Sequence, residues 1–198
     1  MKIRCRTNRL EPALRWTQRF LFAGAILMLG YCGFAYGDAW VFQHQAERQL
    51  VNLPTQEAGG GLPAPGLGSD GLIGRIEILR LGVSVAVVEG TGSRALRRAA
   101  GHIEGTALPG QAGNVGISAH RDTFFRPLRN IQRHDSITLA TGRGEFHYRV
   151  VSTKVVSPED VAVLNPDGNE ILTLVTCYPF YFIGPAPSRF IVRAERVL

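Results

Sequence analysis

Cys177 stands at the end of a strand-forming run, Leu172-Thr173-Leu174-Val175-Thr176, and opens a loop rich in proline and glycine that leads to Arg189. A thiol where a strand gives way to a loop is placed to react rather than to pack. Its chemistry is nucleophilic: the thiolate is the attacking species, so it needs positive charge nearby and a partner that moves protons. Arg189 supplies a permanent charge with several donors, suited to an oxyanion. His120 follows Val115-Gly116-Ile117-Ser118-Ala119 and so also sits at a strand end. An imidazole there can protonate a leaving amine near neutral pH.

Each residue has a plainer reading. A single cysteine can serve as a small buried hydrophobe. His102, His120, His134 and His147 could each be structural. His147 lies mid-strand and is expected to face solvent, His134 begins a strand beside Asp135, and His102 follows Gly101 in a turn or lines a cleft. His120 differs in being followed by Arg121-Asp122, where Asp122 either orients the ring or caps a short helix over 123–128. The pattern lacks C-x-x-C and H-x-x-x-H pairs, which argues against structural zinc, and it lacks a phosphate-binding glycine loop.

The elements that must hold these residues are mostly strands. Ile76 and Ile78 alternate with polar residues, and Val83, Val85 and Val87 continue the pattern after Gly82. Residues 93–100 read as a short helix with Ser93 as N-cap and Gly101 as stop. A strand over 114–119 ends at His120, and 122–130 is a turn or short helix. A hairpin spans 136–156 around Gly142-Arg143-Gly144. A loop over 157–170 has room for a helical turn at 158–164, and strands follow over 171–176 and 189–197. Seven or eight short strands with fragments of helix point to a closed or nearly closed β-barrel.

Charge places this domain outside a membrane. The formal net charge is +6, yet residues 1–19 carry a net +5, residues 38–71 a net −3, and residues 72–198 a +4 spread without a basic run. Between the first two lies Phe20–Gly37, 18 uncharged residues, roughly 27 Å as a helix, about one hydrocarbon thickness. Trp16, Trp40 and Phe42 flank it as interfacial aromatics do. The basic side stays in the cytoplasm, so 1–19 is a cytoplasmic segment, 20–37 an uncleaved signal anchor, and the remainder extracytoplasmic. A cleaved signal peptide fits less well, because the apolar run is long and Ala35-Tyr36-Gly37 is a poor cleavage site. Nucleic acid is not an expected partner, whereas membrane lipid is. Residues 38–71 continue as a helix to about Leu53 and then become a tether, since from Pro54 to Gly71 nine of 18 residues are Gly or Pro. The domain proper is 72–198, and a chain begun at residue 54 is expected to be soluble and active. Cys177 is the one exported cysteine; in an oxidising compartment an unpaired thiol favours a reactive role.

Thr173-Leu174-Val175-Thr176-Cys177, with Arg189 twelve residues later in Ser188-Arg189-Phe190-Ile191-Val192, resembles the sortase signature T-L-x-T-C followed by R. Gly116-Ile117-Ser118-Ala119-His120-Arg121-Asp122-Thr123-Phe124-Phe125 resembles that family's histidine block, and the run after Cys177 looks most like class D sortases. The resemblance implies an eight-stranded barrel with short helices behind one transmembrane helix. It implies a cysteine transpeptidase that cleaves an LPXTG-like sorting signal (L-P-x-T-G) after threonine through a thioester and passes the acyl group to an amine. Cys177 is then the nucleophile, His120 the general acid/base and Arg189 the oxyanion stabiliser. Thr176, Tyr178, His102 and Ser118 are candidates for lining the oxyanion or substrate site. The implied partners are secreted proteins bearing that signal, and a peptidoglycan-precursor amine or a protein lysine as acceptor. No cofactor or metal, calcium included, is expected. Two other readings stay open: a thiol hydrolase on the same barrel, and a non-catalytic, membrane-tethered peptide binder.

Overall fold

The computed structural model describes residues 10–52, 71–166, 168–182 and 184–197. Residues 1–9 of the basic N-terminal flank and nearly all of the Gly/Pro-rich stretch therefore lie outside the described residues. The chain forms two compact units, Met1–Trp40 and Val41–Leu198. A single helix, α1 (Leu10–Asn52), supplies the first and enters the second, so it is much longer than its uncharged window. Phe20, Leu21, Ile26, Leu27, Leu29 and Phe34 are all exposed in it. The helix is long and apolar enough to cross a membrane. Surface of this kind is favourable only under an apolar cover.

The second unit is a closed mixed barrel of eight strands. These are β1 (Leu72–Ile78), β2 (Val83–Glu89), β3 (Ala100–His102), β4 (Gly113–Ser118), β5 (Ser136–Thr141), β6 (Gly144–Val156), β7 (Glu170–Tyr178) and β8 (Ser188–Val197). Around the barrel the order is β1-β2-β3-β4-β7-β8-β6-β5, with β5 returning to β1. The β2–β3 and β4–β7 pairs are parallel, and the other pairs are antiparallel. Every second residue points inward, so Ile76, Ile78, Val85, Val115, Ile117, Leu139, Val150, Leu172, Leu174 and Val192 fill one core.

Two expectations about short helices change. Residues 100–102 are a strand, not the end of a helix; α2 is Ser93–Arg98, and its N-cap is Gly92 without a side-chain cap bond. Gly101 serves close packing here: a Cβ on it would stand 2.3 Å from the Gly90 carbonyl oxygen. Likewise, Asp122 caps no helix. Residues 121–125 are turns, and the 3-10 turn Arg126–Asn130 is preceded by Phe125.

The connection from β4 to β5, which carries His120, is pinned at its far end. Arg80 forks onto Asp135 through Nε and Nη2 at 2.5 Å each, and Nη2 also donates to the Asn130 carbonyl. Asp135 is 8% exposed and also accepts the Gln132 N–H. The Arg80 fork holds its carboxyl below the usual range. Its contribution is present above the ordinary carboxylate pKa of about 4 and is lost as pH falls through the depressed value.

Tyr148 is 1% exposed and its hydroxyl has no hydrogen-bond partner. Burial pushes its pKa up to about 12. Tyr148→Phe is therefore expected to leave the melting temperature unchanged or to raise stability by up to about 1 kcal/mol, since an unmade buried bond is removed. The tyrosine's contribution is present below about pH 10 and is lost as pH rises through about 12. Thermal melts of the pair at pH 7 and above pH 10 check both points: a drop of more than 1 kcal/mol at pH 7 would show a hidden partner.

Candidate active site

The alternation that fills the barrel also sorts the site. On β7, Leu172, Leu174 and Thr176 point inward, so Thr173, Val175 and Cys177 point out. On β4, Val115 and Ile117 are core, so Asn114, Gly116 and Ser118 face out beside them. Half of this outer face is covered. Asn114, 2% exposed, donates through Nδ2 to the Val163 carbonyl at 3.1 Å, and Thr173 Oγ1 donates to Asn114 Oδ1 at 2.7 Å. These bonds seat the 3-10 turn Val161–Leu164 of the β6–β7 connection. Gly116 lies under Thr106 and Ile103, whose side chains would meet an added Cβ at 3.1–3.2 Å. The cover ends toward Ser118 and Cys177, which are half-buried.

At that uncovered end the three candidates converge. Cys177 and Arg189 are directly paired across β7 and β8. Ser118 is level with Val175 in the parallel β4–β7 pair, and carrying that alignment two residues on sets His120 level with Cys177. The Ala119 N–H donates to the Val175 carbonyl at 3.2 Å, which keeps the alignment past the end of β4. By strand position Cys177 thus falls between His120, which is exposed, on the β4 side and Arg189, which is half-buried, on β8. Arg189 Nη1 donates to the Ala186 and Ser188 carbonyls at 3.3 and 3.1 Å. Glu159, on the β6–β7 connection, is held below the usual carboxylate range chiefly by the Ser157 hydroxyl, with a smaller effect from the Arg189 charge.

The supporting residues occupy distinct places. Thr176 is 1% exposed and faces inward, and its hydroxyl donates to the Ala119 carbonyl at 2.8 Å. It thereby ties the residue before Cys177 to the residue before His120. Tyr178 stacks on Phe190 at 6.3 Å and meets Phe180 edge-on at 6.0 Å, an aromatic plug at the end of the core. His102 is 3% exposed inside a cage. Its Nδ1 meets both Glu89 oxygens at 3.0–3.1 Å, and its Nε2 meets the Ala107 carbonyl and Thr106 Oγ1 at 3.0 Å. This cage joins β2 and β3 to the loop lying over Gly116. His147 is exposed, as its strand position predicts; His134 does not begin a strand but sits in a turn at φ 74°, and β5 starts only at Ser136.

The sequence places Asn114 and Arg121 beside the candidate site without a contact for either, and gives Thr106 no part in it. A polar residue at an outward position of an otherwise apolar strand was the available signal for Asn114.

The sortase domain family matches residues 76–197. The chain belongs to the sortase family. It is 32% identical to sortase D of Bacillus subtilis (strain 168) over 194 residues, covering 90% of this chain and 96% of that protein. It is also 32% identical to sortase SrtE1 of Streptomyces coelicolor over 187 residues, 81% of this chain and 51% of that one. Among solved structures, the Clostridium perfringens sortase D5 transpeptidase aligns with a TM-score of 0.58 at 28% identity, covering 78% of this chain and 88% of that one. Sortase C-1 of Streptococcus pneumoniae aligns with a TM-score of 0.63 at 29% identity over 73% and 76% of the two chains. The protein is a sortase-type cysteine transpeptidase, and the likeness to D-type members agrees with the run after Cys177.

Proposed function

We propose that this sortase cleaves an LPXTG-like signal on secreted proteins and joins the new carboxyl end to an amine, with Cys177, His120 and Arg189 as its catalytic set. The pairing of Cys177 with Arg189 across β7 and β8, with His120 level on β4's side, carries this reading. The Cys177 thiolate attacks the threonine carbonyl carbon, forming a C–S bond and an oxyanion toward which Arg189 can donate. His120 gives its proton to the glycine amine as the C–N bond breaks, leaving a thioester. An incoming amine attacks that thioester, His120 takes up the amine's proton, and the thiolate leaves.

The net +5 of residues 1–19 argues for a cytoplasmic N-terminus and an extracytoplasmic barrel. In that setting a peptidoglycan-precursor amine or a protein lysine is the acceptor. The test is the intact mass of the full chain after exposure to an L-P-x-T-G peptide. A gain equal to the peptide's acyl part, released by hydroxylamine, supports the thioester; the absence of any adduct from a thiol that alkylates readily would overturn it. Adding a competing amine separates transfer from hydrolysis.

Arg189→Lys is expected to lower kcat/KM by about 10²–10³-fold, because one ammonium cannot span the two carbonyls and also meet an oxyanion. Steady-state kinetics check it, and near-parental values would assign Arg189 to structure alone.

A further inference from the structure

The loop leaving Cys177 turns a set of carbonyl oxygens toward the residue after His120. Arg121 Nη1 donates to the Pro179 carbonyl at 3.0 Å, and its Nη2 donates to the Phe182 and Gly184 carbonyls at 2.7 and 2.9 Å. The same guanidinium lies 5.9 Å from the Phe182 ring centroid. A second arginine of the β4–β5 connection repeats the reach: Arg129 Nη1 donates to the Tyr181 hydroxyl at 2.8 Å and lies over that ring at 5.4 Å. Convergent carbonyls repel one another unless a cation with several donors sits among them, and a planar guanidinium fits where an ammonium does not.

We propose that Arg121 is a positioning residue that clamps the loop after Cys177 to the segment bearing His120, and so keeps nucleophile and acid/base in register. The proposal rests on the catalytic reading above. Two ties then join the same pair of segments. Thr176 to Ala119 lies inside the barrel, and Arg121 to Pro179, Phe182 and Gly184 lies outside it. The inner tie is built into the sheet. The outer one holds a loop that is otherwise exposed at Tyr181 and Phe182, at 76% and 47%. Because the bonds to Phe182 and Gly184 are themselves exposed, the clamp contributes little to global stability, and its effect is local. Small displacements of a reacting pair are costly in rate: about 1 Å can cost roughly 10²-fold.

The test compares the full chain in detergent with Arg121→Gln and Arg121→Lys. Two readouts are taken: kcat and KM for transfer from an L-P-x-T-G peptide to hydroxylamine, and the rate of chymotrypsin cleavage after Tyr181 or Phe182. Arg121→Gln is expected to lose at least about tenfold in kcat with KM changed less than about threefold, and to be cut at least about tenfold faster in the loop. Arg121→Lys should fall between it and the parent in both readouts. Faster cleavage with parental kcat would make Arg121 a loop tie without catalytic consequence and overturn the proposal. A lower kcat with unchanged cleavage would mean the charge acts directly, which also overturns it. Should Arg121→Gln not fold, a parental kcat in Arg121→Lys overturns the clamp equally. A parent that makes no thioacyl adduct overturns the transpeptidase chemistry proposed above; a parent that turns over while Arg121→Gln matches it overturns the clamp alone.

Discussion

Cys177→Ala is expected to reduce turnover to the limit of detection, a loss of roughly 10⁶-fold, because no other group can take over the covalent step. The described cysteines are Cys32, which is exposed in the first unit, and Cys177, half-buried on the barrel's outer face. No second thiol stands in the barrel to substitute. The same change should leave the fold intact, with stability within about 1 kcal/mol of the parent, since the side chain lies outside the core. Peptide turnover and a thermal melt, read together, check the pair of claims. Retained turnover removes Cys177 from the mechanism, and a collapsed melt shows that the thiol packs rather than reacts.

The second large effect concerns where the catalytic unit begins. The Gly/Pro-rich run predicts that a chain begun at residue 54 is soluble and active. The contacts of Val41–Asn52 argue otherwise. Gln43 Nε2 donates to the Arg98 carbonyl at 2.6 Å, its Oε1 accepts the Ala86 N–H at 2.8 Å, and its own carbonyl accepts from Arg75 Nη2 at 3.0 Å. Ala46, 2% exposed, packs with Leu72, Ala86, Val88 and Ala99, flanked by Phe42 and Leu50. This is a second, small core on the outer face of the barrel. At about 25 cal/mol per Å² of apolar surface, losing it costs roughly 3–5 kcal/mol. That corresponds to a melting temperature lower by about 10 °C for a unit of this size. Melts of chains begun at residues 41 and 54 make the comparison: equal values would show that this segment only rests on the barrel. Aggregation confined to the shorter chain agrees with the uncovered apolar face.

Much of the barrel was legible because inward and outward residues alternate in β1, β2, β5 and β7, and turn residues separate them. β3 was not. It has three residues, Ala100-Gly101-His102, too few to show a period, and it follows Ser93–Arg98, whose helical character extends naturally over it. The C-terminal end of α1 at Asn52 falls where the sequence puts it, near Leu53, whereas its start at Leu10 was missed because an uncharged window marks the span and the helix begins earlier, among charged residues. The places of the candidates Cys177, His120 and Arg189 at or near strand ends were legible in the local sequence. The residues that seat them were not, because their partners are distant in sequence: Thr176 bonds 57 residues away, Arg121 58 to 63, and Thr173 59. A single sequence carries no sign of such pairs. Thr176 illustrates the limit: its place in the signature pointed toward the oxyanion, whereas its hydroxyl is directed into the barrel.

The parallel pairing of β4 with β7 also has a temporal meaning. Cys177 and Arg189 meet through an antiparallel return over residues 179–187, a contact that a partly folded chain can form early. His120 is separated from Cys177 by the whole stretch containing β5 and β6, and loop closure over that length carries a larger entropic cost than closure of the β7–β8 return. A partly folded chain is therefore expected to pair Cys177 with Arg189 before His120 joins them. On the roles proposed above, a partly folded barrel holds a cysteine without its acid/base partner, so peptide-cutting power is expected only with the finished barrel.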